Sequence, residues 1–173
     1  VVSETKAHAA WLFTSGDDKG KIREIEFDSL KTRDLLPESG QKLRTLGFMN
    51  EDLVYGILSD EDILTDANGH ETEGLSTFRI ESFKGKVKKE YHQDGLYVTN
   101  VTVGSTMMEF ELSAKSGNTY TVQKKDNIMN NKKASGSQVD VALITTNRAG
   151  TLIRLTMTRK PETDSPLLVY SKI

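Results

Sequence analysis

The 173-residue sequence predicts an all-β domain made of antiparallel, four-stranded sheets. Three observations carry this. About a dozen short apolar or alternating segments recur along the chain. Clusters of Gly, Asn, Asp, Ser and Pro separate them. No stretch sustains the periodicity of a long amphipathic helix. The clearest sheet lies between residues 43 and 91, as KLRTLGFM, DLVYGIL, STFRIESF and KVKKEY. Asn50-Glu51 turns the first pair and Lys84-Gly85 the last, while a polar excursion at 59–75 joins the middle two.

Taken in order, residues 1–8 are polar and unpatterned and read as a frayed lead-in. Residues 9–14 (AAWLFT) hold the only Trp and suit a buried strand. After a turn at 15–20, residues 22–27 alternate imperfectly, with Ile22, Glu24 and Glu26 on one face and Arg23, Ile25 and Phe27 on the other. Residues 29–41 read as a connector, with room for one helical turn before Pro37. Beyond the four-strand stretch come LYVTNVTV, a Gly104-Ser105 turn, MMEFELS, a turn at 115–117 and NTYTVQK. Residues 126–133 (DNIMNNKK) are the best helix-turn candidate, capped by Asp126. A short link at 134–137 leads to VDVALITT, a turn at 147–150, TLIRLTMT, a loop with Pro161 and Pro166, and LLVYSK.

Gly20, Gly85 and Gly150 stand at equal intervals of 65 residues, each between two strand-like segments. A further hairpin lies between consecutive copies, LGFM-NE-DLVYG and then VTV-GS-TMMEF. The pattern reads as a repeat of about two and a half units. A four-stranded unit cannot bury both its faces alone and needs neighbours to stack on. The sheets therefore look like blades of a partial β-propeller, too few to close a ring of four or more. Residues 9–171 form one propeller-like β domain on this reading, a fragment of a longer repeat array. Both chain ends look cut from something longer.

The segments DLVYGILSDEDI (52–63), KEYHQDGLYVTNV (89–101) and DNIMNN (126–131) resemble an uncharacterised β-propeller-like domain of envelope-associated proteins of Gram-positive anaerobic bacteria. The resemblance spans about residues 11–170. It implies an extracytoplasmic or cell-envelope location and no particular activity.

Composition narrows the chemistry. Charged residues make up 28% and the net charge is −2, so there is no cationic excess to track a nucleic-acid backbone. No apolar run approaches the roughly 18 residues of a membrane span. Cysteine is absent, which removes disulfides, thiolate metal sites and a cysteine nucleophile.

Asp60, Glu61, Asp62, Asp66, Asn68, Glu71 and Glu73 are the only dense set of oxygen ligands. A calcium-loop register would place Leu64 and Leu75 at obligatory ligand positions, so the segment reads as a solvated loop. His8, His70 and His92 lack zinc-ligand spacing and read as exposed surface histidines. Lys19, Lys21, Lys84, Lys86, Lys88 and Lys89 suit turns and sheet edges, as do Lys124, Lys125, Lys132 and Lys133. Trp11, Tyr55, Tyr91, Tyr97, Tyr120 and Tyr170 fall on or beside strands and read as core or cross-strand pairs. No catalytic, cofactor-binding or metal-binding residue is assigned. The expected function is a non-catalytic interaction or scaffold module. The alternative is a carbohydrate-binding or glycoside-acting domain, which needs two or three exposed aromatics on one face or a pair of facing carboxyls. Self-association is expected through the terminal sheets, at 9–14 and 167–170, with Leu12 and Leu168 at the contact.

Overall fold

A computed structural model describes residues 1–130, 139–146 and 150–157. The chain is all-β and falls into two compact units, Val1–Gly136 and Ser137–Ile173. In the second unit, β13 (Val139–Thr146) and β14 (Gly150–Met157) form an antiparallel hairpin. The segment at 167–170 lies outside the described residues, as does the link at 134–137.

The first unit holds three successive antiparallel meanders. The first comprises β1 (His8–Leu12), β2 (Ile22–Glu26) and β3 (Lys31–Leu35). The second comprises β4 (Lys42–Met49), β5 (Asp52–Leu58), β8 (Thr77–Glu81) and β9 (Val87–His92). The third comprises β10 (Tyr97–Val103), β11 (Met107–Ser116) and β12 (Thr119–Met129). A two-stranded hairpin, β6 (Ile63–Thr65) and β7 (Glu71–Glu73), grows from the second sheet between β5 and β8. Among the described residues the only helical element is a 3-10 turn at Asp60–Asp62, and no helix is long and apolar enough to cross a membrane.

The four-strand reading of 43–91 matches the second sheet strand for strand. Its first hairpin turns at Asn50 and Glu51, with φ of 49° and 68°. Two successive positive φ values give the turn whose twist matches the flanking strands.

Burial explains the stacking. Leu53, Tyr55 and Ile57 pack with Ala10, Ile22 and Leu35 of the first sheet. Val54 and Leu58, with Phe78 and Ile80, pack with Val98, Met108, Phe110 and Leu112 of the third. The centre of the second sheet is thus covered on both faces, and every residue of β5 is buried, while its edge strand β9 is largely exposed. At one edge, β4 lies alongside β1 and β10. A Cβ on Gly47 would come within 2.8 Å of Val103 Cβ, so β4 and β10 approach closely only because residue 47 lacks a side chain.

Several expectations are corrected. Residues 1–8 are tied down rather than frayed. The Val1 amino group donates to the Ala10 carbonyl at 2.8 Å, Val2 bridges Ala9, and Ser3, Thr5 and His8 are buried. Residues 29–41 contain β3 and no helical turn. The excursion at 59–75 carries the β6–β7 hairpin instead of being wholly loop. Residues 126–129 finish β12, paired with β11 from Met107↔Met129 onward, and are not helical.

Gly20 and Gly85 sit in hairpin turns with φ of 89° and 79°, and Gly150 is the first residue of β14, paired with Thr146. Their places differ. Gly20 joins the first two strands of a three-stranded sheet, whereas Gly85 joins the last two of a four-stranded one.

Candidate functional site

Strand alternation gives the first sheet two unlike faces. Ala10, Ile22, Glu24 and Leu35 point into the stack and are buried. The outward face carries Trp11, Arg23 and Asp34 in one row, because Trp11 pairs across with Arg23 and Arg23 with Asp34. Ala9, Ile25 and Thr32 form the next row.

The charges of this face hold one another. Arg23 Nε donates to Asp34 Oδ1 at 2.7 Å and Nη2 to Oδ2 at 2.8 Å, a bidentate fork. Lys21 Nζ lies 2.8 Å from both Asp18 Oδ1 and Asp34 Oδ2. The Lys21 ammonium and the Arg23 guanidinium each sit 5.4 Å from the Phe13 ring centre. Phe13 in turn braces Trp11, with ring centres 6.1 Å apart and planes at 57°. Trp11 remains 40% exposed, which no other Trp or Tyr among the described residues matches.

Hydrogen bonds from Arg23, then Lys21, hold the Asp34 carboxyl far below the usual carboxylate range. Bonds to Asp18, then Asp34, raise the Lys21 ammonium, and the Asp34 bond raises the Arg23 guanidinium. Each shift moves away from neutrality. The hydrogen bonds of the row favour the charged form of each group.

A second ionic cluster lies between the first and second sheets. Arg33 Nε donates to Glu24 Oε2 at 2.7 Å, and Arg33 Nη1 donates to Glu81 Oε1 at 2.5 Å. The Tyr55 hydroxyl donates to Glu81 Oε2 at 2.7 Å. Glu24 is fully buried. Burial pushes its carboxyl up, against the opposing pull of Arg33. Burial, then Glu81, pushes the Tyr55 hydroxyl up to about 12. His8 packs against the Phe48 and Phe83 rings, with Nδ1 3.8 Å from Glu24 Oε1. It is buried, not the exposed histidine expected. Sequence reasoning missed this cluster, although Glu24 shares a strand face with Ile22, and a carboxyl on an apolar face was the available signal.

The acidic excursion disperses its carboxylates. Asp60 pairs with Lys42, Glu73 with Arg44, Asp62 with Lys115, and Asp66 accepts from the Asn68 and His70 amides. Among the described residues no three His, Asp or Glu side chains converge as a metal site. His70 and His92 are exposed, each beside an aspartate, Asp66 and Asp94.

Tyr91 stacks on Phe78 at 5.1 Å and meets Phe110 edge-on at 5.0 Å, inside the core. Tyr97 and Tyr120 pair at 5.3 Å beside the excursion. Lys21 and Lys88 are in ion pairs, the latter with Asp52. Tyr170, Lys132 and Lys133 lie outside the described residues. Trp11 is an aromatic that the fold leaves on the surface rather than in the core, as is Phe27 just past β2, and Phe13 is a support for Trp11 that the sequence had not singled out. Comparison with protein-family models, curated proteins and solved structures gives no match for this chain.

Proposed function

We propose that the chain is a non-catalytic interaction or scaffold module of an extracytoplasmic or cell-envelope protein, with its sheets serving as successive blades of a propeller-like array. The connectivity supports the array. The last strand of one sheet leads to the first of the next, from β3 to β4 and from β9 to β10. The resemblance to the domain of envelope-associated proteins of Gram-positive anaerobes supports the location.

The observation that carries the interaction reading is the outward face of the first sheet, where an exposed Trp11 stands beside charges locked in pairs. Such a face is organised for contact and has no group poised for proton transfer. Retention of the purified chain on isolated Gram-positive cell-wall particles tests it. Trp11→Ala is expected to lose most of the bound fraction, without turnover of the wall polymer by either protein. Turnover by the wild type, or equal retention of the variant, overturns the reading.

Self-association belongs to the same proposal, but at a different place from the one first expected. Leu12 is partly buried against the core on the inward face, which favours a contact elsewhere. β3 is paired on one side only among the described residues, and the exposed Leu30 and Leu36 flank it. An unpaired edge with apolar ends invites edge-to-edge pairing of two copies. Light scattering at high concentration should give a dimer for the wild type and a monomer for Leu36→Asp. A monomeric wild type removes this part of the proposal.

A further inference from the structure

We propose that the outward face of the first sheet is a platform for a neutral, equatorially linked glycan, stacked on Trp11 and hydrogen-bonded to the Arg23–Asp34 pair. The inference rests on the interaction-module reading and names the partner class for its site.

Shape argues for an extended chain. The Trp11–Arg23–Asp34 row crosses three adjacent strands, which at about 4.8 Å per spacing covers about 10 Å. That is the scale of two pyranose rings joined equatorially, whose flat C–H faces pack on aromatic rings. A drug-sized ligand instead seeks a concave cavity, and this is a sheet face.

Charge argues for a neutral partner. Asp18, Lys21, Arg23 and Asp34 give two charges of each sign, all mutually paired. A polyanion would be drawn by unpaired cations and a cationic partner by unpaired carboxylates. Closely set donors and acceptors instead suit hydroxyls, which both donate and accept. Arg23 spends Nε and Nη2 on Asp34, leaving Nη1 as a donor, and the exposed Thr32 hydroxyl lies one row away.

Rigidity argues that the face is made for binding. The fork fixes Arg23, the Phe13 ring packs against both cations, and Phe13 braces the indole. Side chains already held in place lose little freedom when a partner arrives. Covering the indole also removes apolar area from water.

Trp11 is the only tryptophan, so its fluorescence reports this face directly. The full chain is titrated with cellohexaose and chitohexaose, with heparin as the charged comparison. A saturable blue shift with reduced iodide quenching is expected for a neutral hexasaccharide. By calorimetry, Trp11→Ala should bind about tenfold more weakly or worse, and Trp11→Phe should stay within about threefold of wild type. Circular dichroism checks that each variant is folded, and the wild-type fluorescence result stands without any variant.

Unchanged Trp11 emission and quenching with both hexasaccharides overturns the proposal. So does equal affinity of a folded Trp11→Ala variant, or preference for heparin. Retention on wall particles with no hexasaccharide response removes the glycan class and leaves the module reading intact. Loss of both removes the module reading itself.

Discussion

Lys115 Nζ donates to Asp62 Oδ1 at 2.9 Å, joining residues 53 apart in sequence. The same ammonium donates to the Glu61 carbonyl at 2.9 Å and lies 4.5 Å from the Tyr97 ring centre. The Tyr120 hydroxyl donates to the Asp62 carbonyl at 3.0 Å. A Cβ on Gly74 would come within 2.3 Å of Tyr120 Cζ, so this approach requires glycine. The excursion that leaves the second sheet is in this way clamped to the third.

Removing the clamp should loosen the excursion first. Lys115→Met leaves Asp62 with only the Ser59 amide and hydroxyl, at 2.8 and 2.9 Å. A loss of about 1–2 kcal/mol is expected, since Lys115 is itself partly exposed. Amide exchange in β6 and β7 should accelerate more than in β5. Burial alone would raise the Asp62 carboxyl, but bonds from Lys115 and Ser59 outweigh it and hold it below its usual range. A lowered carboxyl stabilises the fold above its unfolded value of about 3.9 and loses that effect as the pH falls through the folded value. Wild type should therefore lose excursion protection in acid, and Lys115→Met should show a smaller acid dependence.

Arg33→Met should be far more damaging. It leaves Glu24 and Glu81 buried without their shared cation, at a cost of about 3–5 kcal/mol in urea unfolding. The pH dependence has the opposite sign to that of Asp62. Burial raises the Glu24 carboxyl, so the folded state holds its proton more tightly than the unfolded state. Its contribution falls as the pH rises from about 4.3 through the raised folded value. Glu24→Gln should abolish that decline. An unchanged pH profile in this variant would show that Glu24 is not its source.

Leu30 and Gly47 give a pair of opposite sign. Leu30 sits at φ 55° in the β2–β3 turn, a left-handed conformation that costs a side-chain-bearing residue about 1–2 kcal/mol. Leu30→Gly removes this cost, less about 0.5–1 kcal/mol of added chain entropy, and should raise the melting temperature. Gly47→Ala must fit a methyl within 2.8 Å of the stiff, β-branched Val103 and should cost about 1–3 kcal/mol.

The second sheet was legible because its signals are local. Asn50-Glu51 and Lys84-Gly85 punctuate apolar segments, and both its flanking cores draw on runs such as DLVYGIL. β3 was not legible, since KTRDL has one apolar residue and its inward Arg33 is satisfied by Glu24, nine residues earlier. The end of β12 read as a helical turn because an exposed edge strand has no apolar alternation to display. His8 read as exposed because its burial depends on Phe48 and Phe83, far along the chain. Trp11 was visible as a residue, but its setting beside Arg23 and Asp34 required cross-strand register, which no local pattern encodes.

β5 is hydrogen-bonded on both edges, to β4 and β8, and covered on both faces. A strand walled in on four sides has little to show a partner, so residues 52–58 answer to packing and to the bonds of Tyr55 with Glu81 and of Asp52 with Lys88. Among the described residues, the surfaces open to new specificity are the outer two sheets, the exposed strand β9 and the excursion. The centre can stay constant while those surfaces diverge, which makes the β5 segment the anchor for aligning distant versions of this chain and Trp11 the position at which they should differ.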